Sequence, residues 1–534
     1  MTTISTSRNE AAQSLSERAA SGAGSSTPSA NPRLLRWALP AIAFCITVGI
    51  SFLYRPLSQP ERGDPAIYDY IAQTILRGGM PYRDVIDPKG PGAMYVSAAA
   101  MWIGRRLGIE DVLAVRYVYI LVVGVLSVLT VLVAERYLSS RLAGLLAFLI
   151  PLVPSRYLLM MVAGTEPKLV MMVFGMLALV LISRDRPFWA GFSSMLACLC
   201  WQPGLMFAGI AFLIYSKYLT SWRDLRAIKV VAGTVVPLVA AAGYFQVRGA
   251  LPDLWNWAFT YDYSMFMPAG LRGGGQAFHQ IVTVMRERVF YEGFIFVEMA
   301  LAGFVMFAYE RVRGKRQFRA ALESPDLYKD ALLMPPVIYF AFCMLNFQSS
   351  PDTIPFFPFI GLFAAWLLVK GARALAAVRP IQPLAERARV AILIPAIALA
   401  LVAAAVLRHA AVYRVDARTL ADQYEEARII DSHLSPGDKI YVHGTAEVLT
   451  LLNKPNLNPY IAFDSGSDDY IASHRPGGFG ALIDEIEAAR PKIVLISRLQ
   501  NVRHRAELES WVDRHYVKMD VPWLNRVYIR KEGD

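Results

Sequence analysis

The stretch "GDPAIYDYIAQTILRGGMPYRDVIDPKGPG", residues 63–92, carries Asp64, Asp69, Arg83, Asp84, Asp87 and Lys89. A further acid, Glu166, stands in "GTEPKLVMM". Both stretches border strongly apolar sequence. Fixed charge beside a membrane segment is costly unless it is solvated or has chemistry to perform. A carboxylate can take the proton of an attacking hydroxyl, and cations can neutralise a phosphate as it leaves. Two acids and a lysine are therefore the ingredients of group transfer from a lipid phosphate. Each residue also has a plainer role. Asp64 could cap a helix, Lys89 could lay its stem on apolar surface with its head in water, and Glu166 could stabilise the start of a helix.

The elements that must position these groups follow from the pattern. In "IYDYIAQTIL", Ile67, Tyr70, Ile71, Ile75 and Leu76 fall on one helical face, predicting a helix along the membrane surface. Arg77, Gly78 and Gly79 end it. "MPYRDVIDPKGPG" follows, dense in proline and glycine and so rigid and irregular. Asp64 then lies just ahead of the helix and Lys89 just after the loop, both on one side of the membrane. Tyr82, Arg83, Asp87 and Arg105 could line the same site or make surface ion pairs. Tyr68 and Gln73 read as packing or interfacial residues.

The chain has 534 residues, 55% hydrophobic and 18% charged. Its apolar residues come in blocks long enough to cross a bilayer, so a polytopic α-helical membrane protein is expected. The blocks run near 37–54, 92–107, 112–134, 142–160, 166–183, 188–201, 203–217, 228–247, 291–309, 331–347, 354–369 and 390–407. The net charge is +11. Its Lys and Arg gather in short loops after 217, 309 and 369, which places those loops in the cytoplasm and argues against nucleic-acid binding. Arg33 and Arg36 put the N-terminus inside, with residues 1–34 as a disordered cytoplasmic tail. The first outer loop, 55–111, Glu166 and everything after 407 then face outward. Consistency requires 188–201 and 203–217 to form a hairpin broken at Gln202-Pro203-Gly204. It also requires 92–107 to lie at the interface rather than cross, leaving about eleven spans in a membrane domain, 35–409. Cys45, Cys198, Cys200 and Cys343 all sit in apolar segments and suggest neither a disulfide nor a metal site.

Residues 248–290 make a long outer loop with the aromatic run "DLWNWAFTYDYSMF" and the mobile-looking "LRGGGQ". Tyr261 and Asp262 there are positioned to touch an acceptor. From 410 to 534 helix and strand patterns alternate, predicting a small extracytoplasmic α/β domain with a partly parallel sheet and "NRVYIRK" as an edge strand. No phosphate loop or GxGxxG follows a strand there, and His443 reads as structural.

"GDxxxYxYIAQxILxGxxPYRDxxDxKGPG" resembles the first outer loop of the GT-C glycosyltransferases, closest to the bacterial branch related to the protein O-mannosyltransferases and the lipid A aminoarabinose transferases. "PSRYLLMMVAGTEPKLVMM" is similar to the superfamily's second acidic site. The resemblance implies transfer of a sugar from a polyprenyl-phosphate donor to an envelope lipid, glycan or protein at the outer face of the plasma membrane. It implies Asp64 as the catalytic base, Lys89 as a contact to donor phosphate, and Glu166 as an assisting acid. The chain departs from the family in reading Lys-Gly-Pro for Lys-Pro-Pro, Pro65 after Asp64 for Glu, and Glu166 for Asp. No cofactor is expected; some relatives place a divalent ion between acids, for which Asp64 and Glu166 make a thin ligand set. The competing class is a transporter or flippase of a lipid-linked glycan, which calls for paired interrupted helices and charges at mid-membrane.

Overall fold

The computed structural model describes residues 32–216, 225–265, 274–291, 293–313, 327–378, 418–463 and 466–532, with isolated positions between 400 and 407. The N-terminal tail, the basic stretches 217–224, 314–326 and 379–389, most of the last apolar block and the start of "LRGGGQ" lie outside these residues.

Five helices among the described residues are long and apolar enough to cross a membrane: Trp37–Ser58, Asp111–Tyr137, Arg226–Val247, Tyr328–Leu345 and Ser350–Ala374. Pro167–Ser183, Pro187–Cys200 and Gln202–Ser216 are apolar but shorter. The block expected as one span at 142–160 is instead two segments, Arg141–Leu152 and Ser155–Val162, bent by 78°. Pro151 and Pro154 account for the bend, since each lacks an N–H for the helical ladder. The helix Gly92–Arg106 has 15 residues. At 1.5 Å per residue it reaches roughly 22 Å, short of the ~30 Å hydrocarbon core. Pro187–Cys200 and Leu205–Ser216 fold back on one another. The turn needs Gly204, where a Cβ would lie 2.4 Å from the Ala197 carbonyl carbon.

The helix Asp64–Leu76 does not lie open on the membrane surface. It is packed between Gly92–Arg106 and Ala446–Leu452, with Ala66, Tyr68, Tyr70 and Ile71 buried. The cause is polar complementarity as well as apolar burial. The Tyr70 hydroxyl accepts the Asn456 amide at 2.7 Å, Gln73 Nε2 donates to the Thr450 carbonyl at 2.9 Å, and Thr450 Oγ1 donates to the Ala66 carbonyl at 3.1 Å. A buried arginine fixes the preceding loop. Arg116, on the Asp111–Tyr137 helix, pairs with Glu61 at 2.7 Å, both side chains fully buried, and donates to the carbonyls of Pro56, Gln59 and Ala163. Gln423 of the C-terminal region exchanges two hydrogen bonds with the Glu61 backbone.

The C-terminal sheet has the order β1-β2-β4-β3, with β1 (Ile440–His443), β2 (Ile493–Ile496), β3 (Tyr516–Val521) and β4 (Leu524–Arg530). β1 and β2 are parallel, in register Ile440 to Ile493; the other pairs are antiparallel. The partly parallel sheet matches the pattern reading. "NRVYIRK" does not form an edge, however: β4 pairs on both sides, and the edges are β1 and β3, the latter with Val517 exposed. His443 is buried against Phe463, ring centroids 4.4 Å apart, and burial pushes its pKa down to about 3, a neutral core residue as expected.

Candidate functional site

A cavity of about 470 Å³ opens between the helical body and the C-terminal domain. Five parts of the chain converge on it: Asp64 with the loop Asp87–Lys89, then Lys168, then Trp201–Pro203 with Trp257–Tyr263, then Phe342–Asp352, and finally Ile461, Ser467 and Arg498.

Asp64 opens the helix Asp64–Leu76, with Pro65 setting its first turn. The helix N-terminus favours its negative charge. Its side chain is 53% exposed, onto the cavity, and its nearest cation is Arg498, Nη1 to Oδ1 at 3.8 Å. Burial alone would push the Asp64 carboxyl up, but Lys89, Lys168 and Arg498 outweigh it and hold it below its ordinary value. Lys89 is reached by the irregular loop. Its backbone amide donates to Asp87 Oδ1 at 2.9 Å and its carbonyl accepts the Tyr82 hydroxyl at 2.6 Å. The glycines of "KGPG" are required here. A Cβ at Gly90 would lie 2.4 Å from the Leu199 carbonyl oxygen, and one at Gly92 would lie 2.9 Å from Cys200 Sγ. The loop is thus pressed onto the hairpin tip, and Gln202 Nε2 donates to the Pro88 and Ala258 carbonyls at 2.7 and 3.0 Å. The Lys89 ammonium makes no ion pair among the described residues; it lies 5.2 Å from the centroid of the Tyr68 ring. Burial would lower its pKa, but Asp87, Asp64, Glu166 and Asp352 outweigh burial and raise it, so it stays charged.

The opposite wall carries a paired cation. Lys168 Nζ lies 3.3 Å from Asp352 Oδ1 and over the Trp201 ring. Asp352 Oδ2 accepts the amides of Gln348 and Ser349 at 2.6 and 3.1 Å. Glu166 caps the Pro167–Ser183 helix, accepting the Lys168 amide at 3.1 Å. It lies behind the cavity wall rather than on it.

The expected residues therefore divide. Asp64, Asp87, Lys89 and Tyr261 line the cavity. Tyr82 supports Lys89 from behind. Arg83 pairs with Asp84 at 3.0 Å and donates to the Arg248 carbonyl, and Arg105 makes a bidentate pair with Asp111; both are away from the cavity, as surface ion pairs. The Asp262 side chain lies outside the described atoms. Lys168, Asp352, Gln202 and Arg498 were missed. Arg498 had a signal: it follows the buried run "KIVLIS", and ligands gather at the carboxyl ends of parallel strands. Asp352 had one too, three residues after Ser349 in a capping box. For a metal, Asp468, Asp469 and His504 bring ligand atoms within 4.8 Å of one another. They already lock a loop, with Asp468 Oδ2 accepting the Arg503 and His504 amides and Asp469 pairing with Arg503.

No family model and no curated protein matches the chain. Solved structures do. ArnT from Cupriavidus metallidurans bound to undecaprenyl phosphate superposes with a TM-score of 0.56 at 14% identity, covering 92% of this chain and 98% of that one. The chain has the GT-C fold. The apo ArnT gives a TM-score of 0.54. A second GT-C structure, the oligosaccharyltransferase AglB from Archaeoglobus fulgidus in complex with an inhibitory peptide and a dolichol-phosphate, matches at 0.51 and 13% identity, over 93% of this chain and 75% of that one. The resemblance seen in the first outer loop thus extends to the GT-C architecture of nearly the whole chain.

Proposed function

We propose that this protein is a membrane glycosyltransferase that moves a sugar from a polyprenyl-phosphate donor to an envelope lipid, glycan or protein. The observation that carries the reading is an open carboxylate, Asp64, beside a lysine, Lys89, that makes no ion pair among the described residues, in one cavity of a GT-C fold. That two GT-C neighbours hold undecaprenyl phosphate and dolichol-phosphate supports a lipid-phosphate donor. The outer face of the plasma membrane, with a cytoplasmic N-terminus, follows from the basic loops.

The reaction is a single displacement. The acceptor oxygen attacks the anomeric carbon and its proton passes to Asp64. The bond from that carbon to the phosphate oxygen breaks, and the polyprenyl phosphate leaves with the electron pair. Lys89 neutralises the departing charge, with Lys168 and Arg498 near enough to share it. The same cations tune the base. They hold Asp64 ionised while the site is empty. A bound phosphate offsets them and raises the basicity of Asp64 when the acceptor needs it.

The test is the envelope glycan profile, by mass spectrometry, of a deletion strain carrying no copy, wild type or Asp64→Asn at matched membrane abundance. A hexose or pentose that returns only with wild type, while its lipid-phosphate donor accumulates otherwise, supports transfer. Full restoration by Asp64→Asn overturns the catalytic assignment and moves a glycan flippase ahead.

A further inference from the structure

A second cavity, of about 390 Å³, lies in the C-terminal domain on the far side of Arg498, which lines both. It sits at the carboxyl ends of the parallel strands β1 and β2, where Gly444-Thr445 and Ser497-Arg498 leave the sheet. That is where open α/β sheets take ligands. Thr445 Oγ1 and Ser497 Oγ lie 2.5 Å apart at its floor, and the Gly444 amide donates to Ile461, a residue of the first cavity. The two spaces therefore share a wall.

The lining is basic. Arg418, Arg498, Arg505 and Arg526 border it, against one carboxylate, Glu447. Arg505 and Arg526 share a single acceptor, Glu509 Oε1, at 3.0 and 3.2 Å. One positive charge is left over there. Arg418 is matched by Glu426. Burial pushes the Glu447 carboxyl up to about 7, so near neutrality it is part protonated and able to donate to an anion. Arg498 adopts a left-handed backbone, φ +53, where a glycine would be unstrained. Strain of this kind persists where the surrounding structure demands the side chain's position.

We propose that this cavity docks an oxyanion of the acceptor, a phosphate or carboxylate remote from the hydroxyl that reacts. The inference rests on the transferase reading and assigns the C-terminal domain the choice of acceptor. Guanidinium groups match such oxyanions with paired donors. Arg498 ties the docked group to the wall that holds Asp64.

The full-length protein in detergent would be titrated with inorganic phosphate. It would then be assayed with a panel of undecaprenyl-phosphate sugars and two synthetic glycolipid acceptors differing only in a phosphate distant from the free hydroxyl. Saturable phosphate binding is expected, weakened roughly tenfold or more in Arg505→Gln/Arg526→Gln, since charge-assisted bonds are lost. The phosphorylated acceptor is expected to have the lower KM, and only that KM should rise in the double variant. Turnover of the neutral acceptor should stay unchanged. Ser497→Asp, which puts a charge on the cavity floor, repeats the test should the double variant fold poorly. Absence of phosphate binding, or equal KM values for the two acceptors in wild type, overturns the proposal; in the latter case bound phosphate marks a free-anion site. A chain that transfers to neither acceptor overturns the transferase reading itself, and the titration then assigns the cavity to a free anion.

Discussion

Two cations face each other across the first cavity and are held in opposite ways. Lys168 is sealed into the wall, its side chain 6% exposed, paired with an Asp352 that is 5% exposed. Lys89 makes no ion pair among the described residues; Asp87 accepts only its backbone amide, and Asp64 stands open to the cavity. A satisfied pair in low dielectric is scaffold, because breaking it strands a charge. A cation that makes no ion pair among the described residues, beside an acid open to the cavity, is placed to meet a ligand. The difference separates residues whose loss should reduce transfer from those whose loss should reduce stability.

The comparison breaks first if Asp64→Asn proves harmless. Transfer rates should fall by about 10²–10⁴, the range for loss of a general base, with at most a small drop in thermal midpoint from the lost carboxylate charge. Lys168→Met should mainly cost stability, about 3–5 kcal/mol in unfolding free energy from the stranded Asp352, read by thermal unfolding in detergent, with a smaller fall in rate from its lost share of the phosphate charge. Adding Asp352→Leu should recover most of it. Lys89→Met should raise donor KM by roughly ten- to a hundredfold, the loss of one charge-assisted phosphate contact, while leaving the midpoint in place.

Proton titration sharpens the same contrast. Asp64 is held below its ordinary 3.8 by Lys89, Lys168 and Arg498. A depressed carboxyl is ionised above its folded pKa, so kcat/KM of the wild type should stay flat to below about pH 4 and fall only as acid passes that value. Removing one cation in Lys89→Met should move this limb upward. Glu166→Gln should cost about 1 kcal/mol or less, a cap adjustment, with rates within a few-fold. Arg105→Gln should be smallest, within about 1 kcal/mol and without effect on rate, as for an exposed pair.

The local form of residues 63–92 was legible because its constraints are local. Pro65, the helix period of "IYDYIAQTIL" and the glycines of "KGPG" each act within a few residues. The partner of that helix was not legible. Its apolar face fits a bilayer surface and a protein domain equally well, and only the bonds from Asn456 and Thr450, hundreds of residues away in sequence, decide between them. Glu166 illustrates a second limit: an acid before Pro167 reads as site or cap, and the Lys168 amide settles its geometry as a cap. Arg116, buried in the second turn of its helix beside Glu61, gave no signal, because nothing in its own neighbourhood announces a partner 55 residues back. Lys168 was hidden for the same reason.

The cavity is closed by segments made at opposite ends of synthesis. Asp64 and Lys89 emerge early, yet the wall they face includes Ile461, Ser467 and Arg498. The helix that carries Asp64 is itself clamped by Thr450 and Asn456. A chain still being made therefore has its acid and its lysine but neither the enclosure nor the clamp that aligns them. Completion of the C-terminal domain is what closes the cavity, and a truncated or stalled product lacks that wall by construction.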